Sequence, residues 1–466
     1  MNTPTVTIAI PTFNRPEQLR QAVLGAVHQS ATPDEVLIVD DGSSDGVTRG
    51  LCESMAGNYR GVRVVHSEHR GRPAIRNRAF DECKTSHLMW IDDDDVLLPT
   101  AVENQLRAFS RNKDADVVYG NVMRCDKSLR PIKLISGNKL PANAPWRGFF
   151  KGNPVPNPAA LVSLECYKKV GTYQQRFRCA EDYDFFARAA SAGARFAYNN
   201  NTVALCRSPE HGPVASSIRP ENAQYDSWVV QDLVSNHMIE ELFPDEPWQT
   251  NPNLSLTRAA LQISERLCGC GAARDAADLL ESLQPEGFEQ EVSFAATTTR
   301  RTAEDGLDGL LSLRREPLFL SPTFEGLVNA ISKFYGTPVQ HDAFQAQRLR
   351  QRLTSTPIQK LFPNLPWSSE SSKALAAAFL EATRLFIVFG DFGGAASTMN
   401  QACTEEMKPV VAFVESMLLR FQKGGLGGVM ELRNDPLFHD PFSSTIFSAL
   451  IQRAERLAEI AEIQRQ

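Results

Sequence analysis

Four consecutive aspartates, Asp92 to Asp95, are the densest concentration of reactive groups in the chain. Adjacent carboxylates raise one another's pKa, so a buried run of four cannot stay ionised without a counter-charge. A divalent cation answers that need, and an all-oxygen donor set favours Mg2+ or Mn2+. A solvated acidic turn is the plainer reading of a charge run, but this one is held between the apolar segments HLMWI and VLLP. A second acidic pair, Glu181-Asp182, opens the helical stretch DYDFFARAA and is either an N-terminal capping pair or a proton acceptor. Arg76, with Arg70 and Arg72 as weaker candidates, brings a guanidinium fork that matches a diphosphate or the acid cluster, unless it is simply an exposed helical arginine. Arg207 and His211 sit four residues apart in RSPEHGPVASS.

The elements that must position these groups alternate. VTIAI (6–10), EVLIVD (35–40), VRVVH (62–66), HLMWID (87–92) and DVVYG (116–120) read as strands, and Pro16 to Gln29 and Arg72 to Cys83 as helices. That alternation over residues 6 to about 200 predicts an α/β domain with a mostly parallel sheet. Ligands of such sheets bind beyond the carboxyl ends of the strands, where Asp40-Asp41 and Asp92 to Asp95 both fall. Asp41-Gly42-Ser43 is also a strand-to-turn signal in its own right.

Past about residue 225 the pattern turns to Leu/Ala-rich helices. LFPDEPW at 242–248 recurs as LFPNLPW at 361–367, 119 residues on. The same offset relates Gly271, Ala276 and Ala277 to Gly390, Ala395 and Ala396, Val292 and Phe294 to Val411 and Phe413, and Gly306-Leu307 to Gly425-Leu426. It also relates Pro317-Leu318-Phe319 to Pro436-Leu437-Phe438. An internal duplication explains this, with two helical modules packed in tandem. The expected division is an α/β domain over 1–225 and helical modules over 226–345 and 346–466.

The 466 residues carry a net charge of −6, which gives no electrostatic case for nucleic acid. Nine cysteines without a paired zinc-ligand spacing fit reduced thiols. The opening residues leave no room for a secretory signal before the first strand. Ala374 to Phe389, interrupted by Glu381 and Arg384, reads as a buried helix rather than a membrane span. The expected setting is the cytoplasm, and the inner face of the membrane is compatible with it.

Taken in order, PTFNRPEQLRQAVLGAVHQS, VLIVDDGSSDGV, GRPAIRNRA, WIDDDDVLLP, AEDYDFFARAASAG and RSPEHGPVASS resemble the family 2 glycosyltransferases of GT-A fold, over roughly residues 4–220. The resemblance implies a metal-dependent enzyme that passes a sugar from a nucleotide diphosphate donor, most commonly a UDP-sugar, to an acceptor in one inverting displacement. Pro11, Thr12, Asn14, Arg15, Asp40 and Asp41 would form the nucleoside wall. Asp92 and Asp94 match an Asp-x-Asp pattern, with Asp94 the direct metal ligand and Asp92 nearer the ribose; Asp93 fills the variable position and Asp95 orients its neighbours. Arg76-Asn77 matches an Ala-Arg-Asn step, although Ile75 stands in the Ala position. Asp182 would be the catalytic base, with Glu181 second. Arg207 would balance phosphate charge and His211 complete the metal shell, with Gly212 and Pro213 in a loop that orders over the donor. A nucleotidylyltransferase is disfavoured by the opening PTFNRPEQ, which lacks a Gly-rich phosphate loop. The alternative from another class is a non-catalytic nucleotide-sugar-binding or scaffold protein acting through the helical repeats. A glycan, lipid-linked or polypeptide acceptor, peripheral membrane contact and a homodimer through the helical region are all compatible with the sequence.

Overall fold

The structure, a computed structural model, describes residues 4–208, 220–313, 316, 318–319, 321–335, 341–365, 371–402 and 408–463. The chain divides into two compact units, Met1–Glu246 and Pro247–Gln466.

In the first unit the order is β1 (Val6–Thr12), α1 (Pro16–Val27), β2 (Glu35–Asp40), α2 (Thr48–Asn58), β3 (Val62–His66), α3 (Arg72–Glu82), β4 (His87–Trp90), β5 (Val96–Leu97) and α4 (Ala101–Arg111). There follow β6 (Val117–Cys125), β7 (Pro131–Ile135), β8 (Ala160–Ser163), α5 (Leu164–Val170), α6 (Glu181–Ser191), β9 (Phe196–Arg207), α7 (Pro220–Asn236) and α8 (Ile239–Leu242). The strands form one sheet in the order β3-β2-β1-β4-β8-β6-β9-β5, with β7 pairing β6. β3, β2, β1 and β4 run parallel, as do β6 and β9, while β8 runs antiparallel between β4 and β6.

Within the parallel half β1, β2 and β4 are buried on both faces, so β1 and β2 read as continuous apolar runs rather than alternating ones. Helix α1 starts with Pro16, where a missing N–H costs little, and buries Leu19, Ala22, Val23 and Ala26 at helical spacing against Ile8, Ile10 and Ile38. Because β1, β2 and β4 are parallel neighbours, the chain leaves all three at the same edge, which brings the segments after Thr12, Asp40 and Trp90 together.

The first unit extends to Glu246 rather than ending near 225, a boundary that falls inside α7. Helix α7 stays with this unit because Tyr225 and Trp228 pack against Phe177, and Arg176 pairs with Asp232. Phe243, beyond α8, packs on Phe150.

Within the described residues the second unit is helical: α9 (Pro252–Gly269), α10 (Ala273–Glu281), α11 (Glu289–Ser312), α12 (Glu325–Phe334), α13 (His341–Ser355), α14 (Ile358–Leu361), α15 (Ser371–Val388), α16 (Phe392–Ala402), α17 (Lys408–Met430) and α18 (Pro441–Ile463). Helices α9 and α15 start and end 119 residues apart, and each stops at a glycine with positive φ, Gly271 at 75° and Gly390 at 77°. The closing bonds correspond as well, Ala272 N to Leu267 O and Asp391 N to Phe386 O. Helices α11 and α17 each carry one kink at that spacing, at Gly306 (φ 62°, ψ −136°) and Gly425 (φ 59°, ψ −151°). Ala276, Ala277 and Ala395 are buried where helices meet closely. Helix α15 is the buried helix expected around 374–389, with Ala378, Ala382 and Phe386 inside. Among the described residues no helix is long and apolar enough to cross a membrane.

Candidate active site

The segments leaving β1, β2 and β4 enclose a cavity of about 1320 Å³ in the first unit, whose wall includes Thr12, Asp41, Arg76, Asp92, Asp94 and Asp182. Each wall segment is fastened to the next. Asn14 takes a left-handed conformation (φ 55°) and accepts from the backbone N–H groups of Ser44 and Asp45, while its own N–H donates to Ser43 Oγ. Asn14 therefore joins the β1 and β2 loops. Thr12 Oγ1 donates to Asp93 Oδ2 at 2.8 Å, and Arg15 Nη1 reaches Asp93 at 3.1 Å and Asp94 at 2.7 Å, which ties β1 to the acid cluster.

The two aspartates after β2 part company. Asp40 is turned inward: Oδ1 accepts from Ser43 N, and Oδ2 lies 2.9 Å from His66 Nδ1, whose other nitrogen meets Glu53. It is not among the residues lining the cavity, whereas Asp41 is, and Asp41 accepts from the N–H groups of Arg70 and Gly71. Pro11 lines the cavity too. Over this wall Phe13 and His69 stack face to face with centroids 4.1 Å apart. Phe13 is 37% exposed, a large share for a phenylalanine at a cavity wall.

The four aspartates differ in what holds them. Burial raises Asp92, but the guanidinium groups of Arg76 and Arg72 pull it net below the usual carboxylate range. Burial pushes Asp93 up to about 6 against the pull of Arg15 and the Thr12 hydroxyl. Asp94 is raised by burial and by the charge of Asp92, with Arg15 opposing. Asp95 is buried and raised well above its ordinary value by burial and by the charges of Asp92 and Asp94; it accepts from Arg207 N at 2.9 Å. All four aspartates line the cavity; Thr12 and Arg15 engage Asp93 and the Arg207 N–H engages Asp95, while Asp92 meets Arg76 and Asp94 meets Arg15. Among the described residues no group of three or more His, Cys, Asp or Glu side chains is arranged to hold a metal ion. Two carboxylates fit a Mg2+- or Mn2+-type ion that takes its remaining ligands from phosphate and water, not an ion caged by protein alone. His211, Gly212 and Pro213 lie outside the described residues.

Arg207, at the end of β9, donates through its guanidinium to three neutral oxygens: the Asp94 carbonyl, the Lys127 carbonyl at 3.1 Å and Gln21 Oε1. Arg76 is 2% exposed and spans the site, with Nε 2.9 Å from Glu181 Oε1 and Nη2 3.1 Å from Asp92 Oδ1, and the guanidinium lies 4.9 Å from the Trp90 ring centroid. Burial would lower its pKa, but Asp92 and Glu181 more than offset that and raise it. Asn77 is a structural pin, bonded to Tyr173 and Tyr167.

Glu181 and Asp182 have separate environments although they are adjacent. Glu181 is fully buried and its Oε1 is shared by Arg76 and, at 3.2 Å, Arg72. Asp182 is half-buried, lines the cavity and accepts from Asn153 Nδ2 at 3.0 Å. Burial and the charge of Glu181 raise its pKa, with Arg76 and Arg72 opposing. The helix cap is Ala180, a non-glycine residue at φ 60° that offers no side-chain bond. Such strained conformations persist where the surroundings fix them, often at functional sites.

Several contributors had no signal strong enough to mark them in the sequence. Phe13 and His69 are 56 residues apart and meet only by stacking. Arg72 gains importance through Glu181 and Asp92, which the fold brings to it. Asn153 and Asn157, both lining the cavity, lie in GNPVPNP, a stretch that reads simply as a Pro-rich loop. Asn157 is buried with both amide atoms unpaired, and Arg76 Nη1 and Glu181 Oε2 are unpaired too. Each buried polar group left so costs about 1–3 kcal/mol.

Residues 7–163 match the family model described as glycosyl transferase family 2. An uncharacterized glycosyltransferase of Methanocaldococcus jannaschii is 22% identical over 223 residues, 47% of this chain and 77% of that protein. One of Rickettsia felis is 28% identical over 278 residues, 56% of this chain and 43% of its own length. The chondroitin synthase of Escherichia coli is 26% identical over 194 residues, 41% of this chain and 27% of that enzyme. Among solved structures, residues 1–349 of S. aureus TarS align with a TM-score of 0.40 at 14% identity, covering 66% of this chain and 92% of that one.

Proposed function

We propose that this chain is an inverting glycosyltransferase that moves a sugar from a nucleotide diphosphate, a UDP-sugar by preference, to a nucleophilic acceptor. The observation that carries the reading is one cavity with a pair of oxygen donors, Asp92 and Asp94, on one wall and a carboxylate of raised pKa, Asp182, on another, with Arg76 between them. The family match over residues 7–163 and the glycosyltransferase names of the relatives support the reaction class.

In this reading Thr12, Asp41 and the stacked Phe13 and His69 receive the nucleoside, and Asn14 holds the two loops that carry them. Asp92 and Asp94 would hold Mn2+ or Mg2+, which would offset the charge that grows on the departing diphosphate. Arg207 and Arg15 add positive potential at the same end. At the other end Asp182, oriented by Asn153, takes the proton of the acceptor hydroxyl as its oxygen attacks C1. The bond from C1 to the phosphate oxygen breaks, its electron pair leaves with the nucleoside diphosphate, and the configuration at C1 inverts. Glu181 is the positioning residue: it fixes Arg76 and Arg72 and is too buried to reach an acceptor.

The equal spacing of α9 with α15 and of the two kinked helices supports a duplicated helical module, which we assign to acceptor recognition or self-association. The test is the thermal shift of the full chain with UDP, GDP, dTDP and their sugars, each with Mn2+ and with chelator. A metal-dependent shift with one nucleotide family is expected, lost in Asp94→Ala and kept in Asp182→Asn, whose transfer activity is abolished. A well-folded protein that responds to none of them refutes the enzyme reading.

A further inference from the structure

We infer that Asn157 reads the hydroxyl groups of the transferred sugar and so helps decide which sugar this chain accepts; the inference rests on the nucleotide-sugar reading above.

The position follows from strand register. Asn157 begins the short 3-10 turn Asn157–Ala159 that feeds β8. Strand β8 runs antiparallel to β4, with Met89 opposite Leu161 and Leu88 opposite Val162. Residues just before β8 therefore lie alongside those just after β4, which are the acid cluster. Four residues earlier on the same segment, Asn153 holds Asp182. Asn157 thus belongs to the stretch of wall between the carboxylates that would anchor the diphosphate and the carboxylate that would take the acceptor proton. In a direct displacement C1 has to lie between those two groups, and the sugar ring then covers this wall.

The bonding state of Asn157 points the same way. Asn157 lines the cavity at 5% exposure, yet neither Oδ1 nor Nδ2 has a hydrogen-bond partner. Two other asparagines of this unit use both amide atoms. Asn77 bonds Tyr173 and Tyr167, and the buried Asn121 bonds Asn200, Gly137 and Tyr198. Among the other cavity-lining residues Arg76 Nη1, a donor, is unpaired too. A phosphate only accepts and would call for donors alone. Sugar hydroxyls both donate and accept, so a mixed set suits a ring hydroxyl and an amide suits two neighbouring ones. A site built to bond a hydroxyl discriminates strongly, because the wrong sugar leaves its buried polar groups unpaired.

The experiment measures the affinity of the full-length protein, in Mn2+, for UDP, GDP, UDP-glucose, UDP-galactose, UDP-N-acetylglucosamine and GDP-mannose, in wild type, Asn157→Ala and Asn157→Asp. Asn157→Asp keeps the shape and replaces the amide donor, so it serves even where the alanine variant folds poorly. Both variants are expected to weaken the preferred nucleotide sugar about 10-fold and to narrow its margin over the epimer, with the matching nucleoside diphosphate unchanged within about twofold. Equal weakening of nucleoside diphosphate and nucleotide sugar, or an unchanged preference between epimers, overturns the assignment of Asn157 and leaves the glycosyltransferase reading standing. Absence of wild-type binding to every probe overturns that reading and this inference with it.

Discussion

Replacing Glu181 by Gln removes one charge from a place where charge cannot be solvated. Glu181 is 0% exposed and Arg76 2%, and Oε1 meets Arg76 Nε at 2.9 Å and Arg72 Nε at 3.2 Å. At an effective dielectric constant near 20, each contact at about 3 Å is an attraction of about 5 kcal/mol. The desolvation cost of Glu181, several kcal/mol, is recovered on substitution, which leaves a net loss of about 3–5 kcal/mol, typical of breaking a buried pair from one side. For a unit of this size that lowers the melting temperature by about 6–20 °C. Calorimetry of Glu181→Gln checks it in the transition of the first unit. A companion cycle of Glu181→Leu, Arg76→Met and the double variant measures the coupling, expected at about 1.5–3 kcal/mol, with the double variant more stable than either single one. A Glu181→Gln melt within about 1 °C of wild type, or strictly additive singles, would show that the buried pair does not carry the charge attributed to it.

Three further outcomes follow from single residues. Asp182 must lose its proton to act as a base, and its raised pKa places the acid limb of the transfer rate above the ordinary aspartate value of about 3.9; activity falls as pH drops through that limb, and a limb at or below the ordinary value refutes the assignment. His87 is held neutral by burial, its pKa pushed down to about 4, so stability is intact above about pH 6.5 and declines by about 3 kcal/mol as pH falls towards 4; denaturant titrations of His87→Gln should lack that slope. Gly42 has φ 73°, and a Cβ there would lie 2.7 Å from His69 N, so Gly42→Ala should cost about 2–4 kcal/mol and weaken nucleotide binding, whereas Gly46→Ala, at φ 72° with open space, should cost about 1 kcal/mol and leave binding alone; equal melts for the two would refute the steric argument.

Strands β1, β2 and β4 of the parallel half are legible in the chain because both their faces are buried, which leaves unbroken apolar runs such as those of β1 and β2. The strands β5 and β8 are not legible: two residues carry no usable period, and ALVS follows a Pro-rich stretch that reads as loop. The expected boundary at 225 cuts α7, because the change to helical composition begins there, yet aromatic contacts of Tyr225 and Trp228 keep the helix with the first unit. The acid cluster, Arg76 and the Glu181-Asp182 pair are all legible as groups, while an expected division of labour among them comes only from the family resemblance. Residue type and spacing alone do not separate Asp40, turned towards His66, from Asp41 on the cavity wall, or Glu181, locked by two arginines, from Asp182 beside Asn153.

What the sequence determined by itself is what depends on local order: the alternation that makes an α/β unit, the carboxylates that end its strands, and the 119-residue spacing of the helical segments. Only the tertiary structure decided which of these groups meet and which face the cavity. Residues as distant as Arg76 and Glu181, or Phe13 and His69, come within contact through strand register and burial, and a side chain's charge state and freedom are set by those neighbours rather than by its own type.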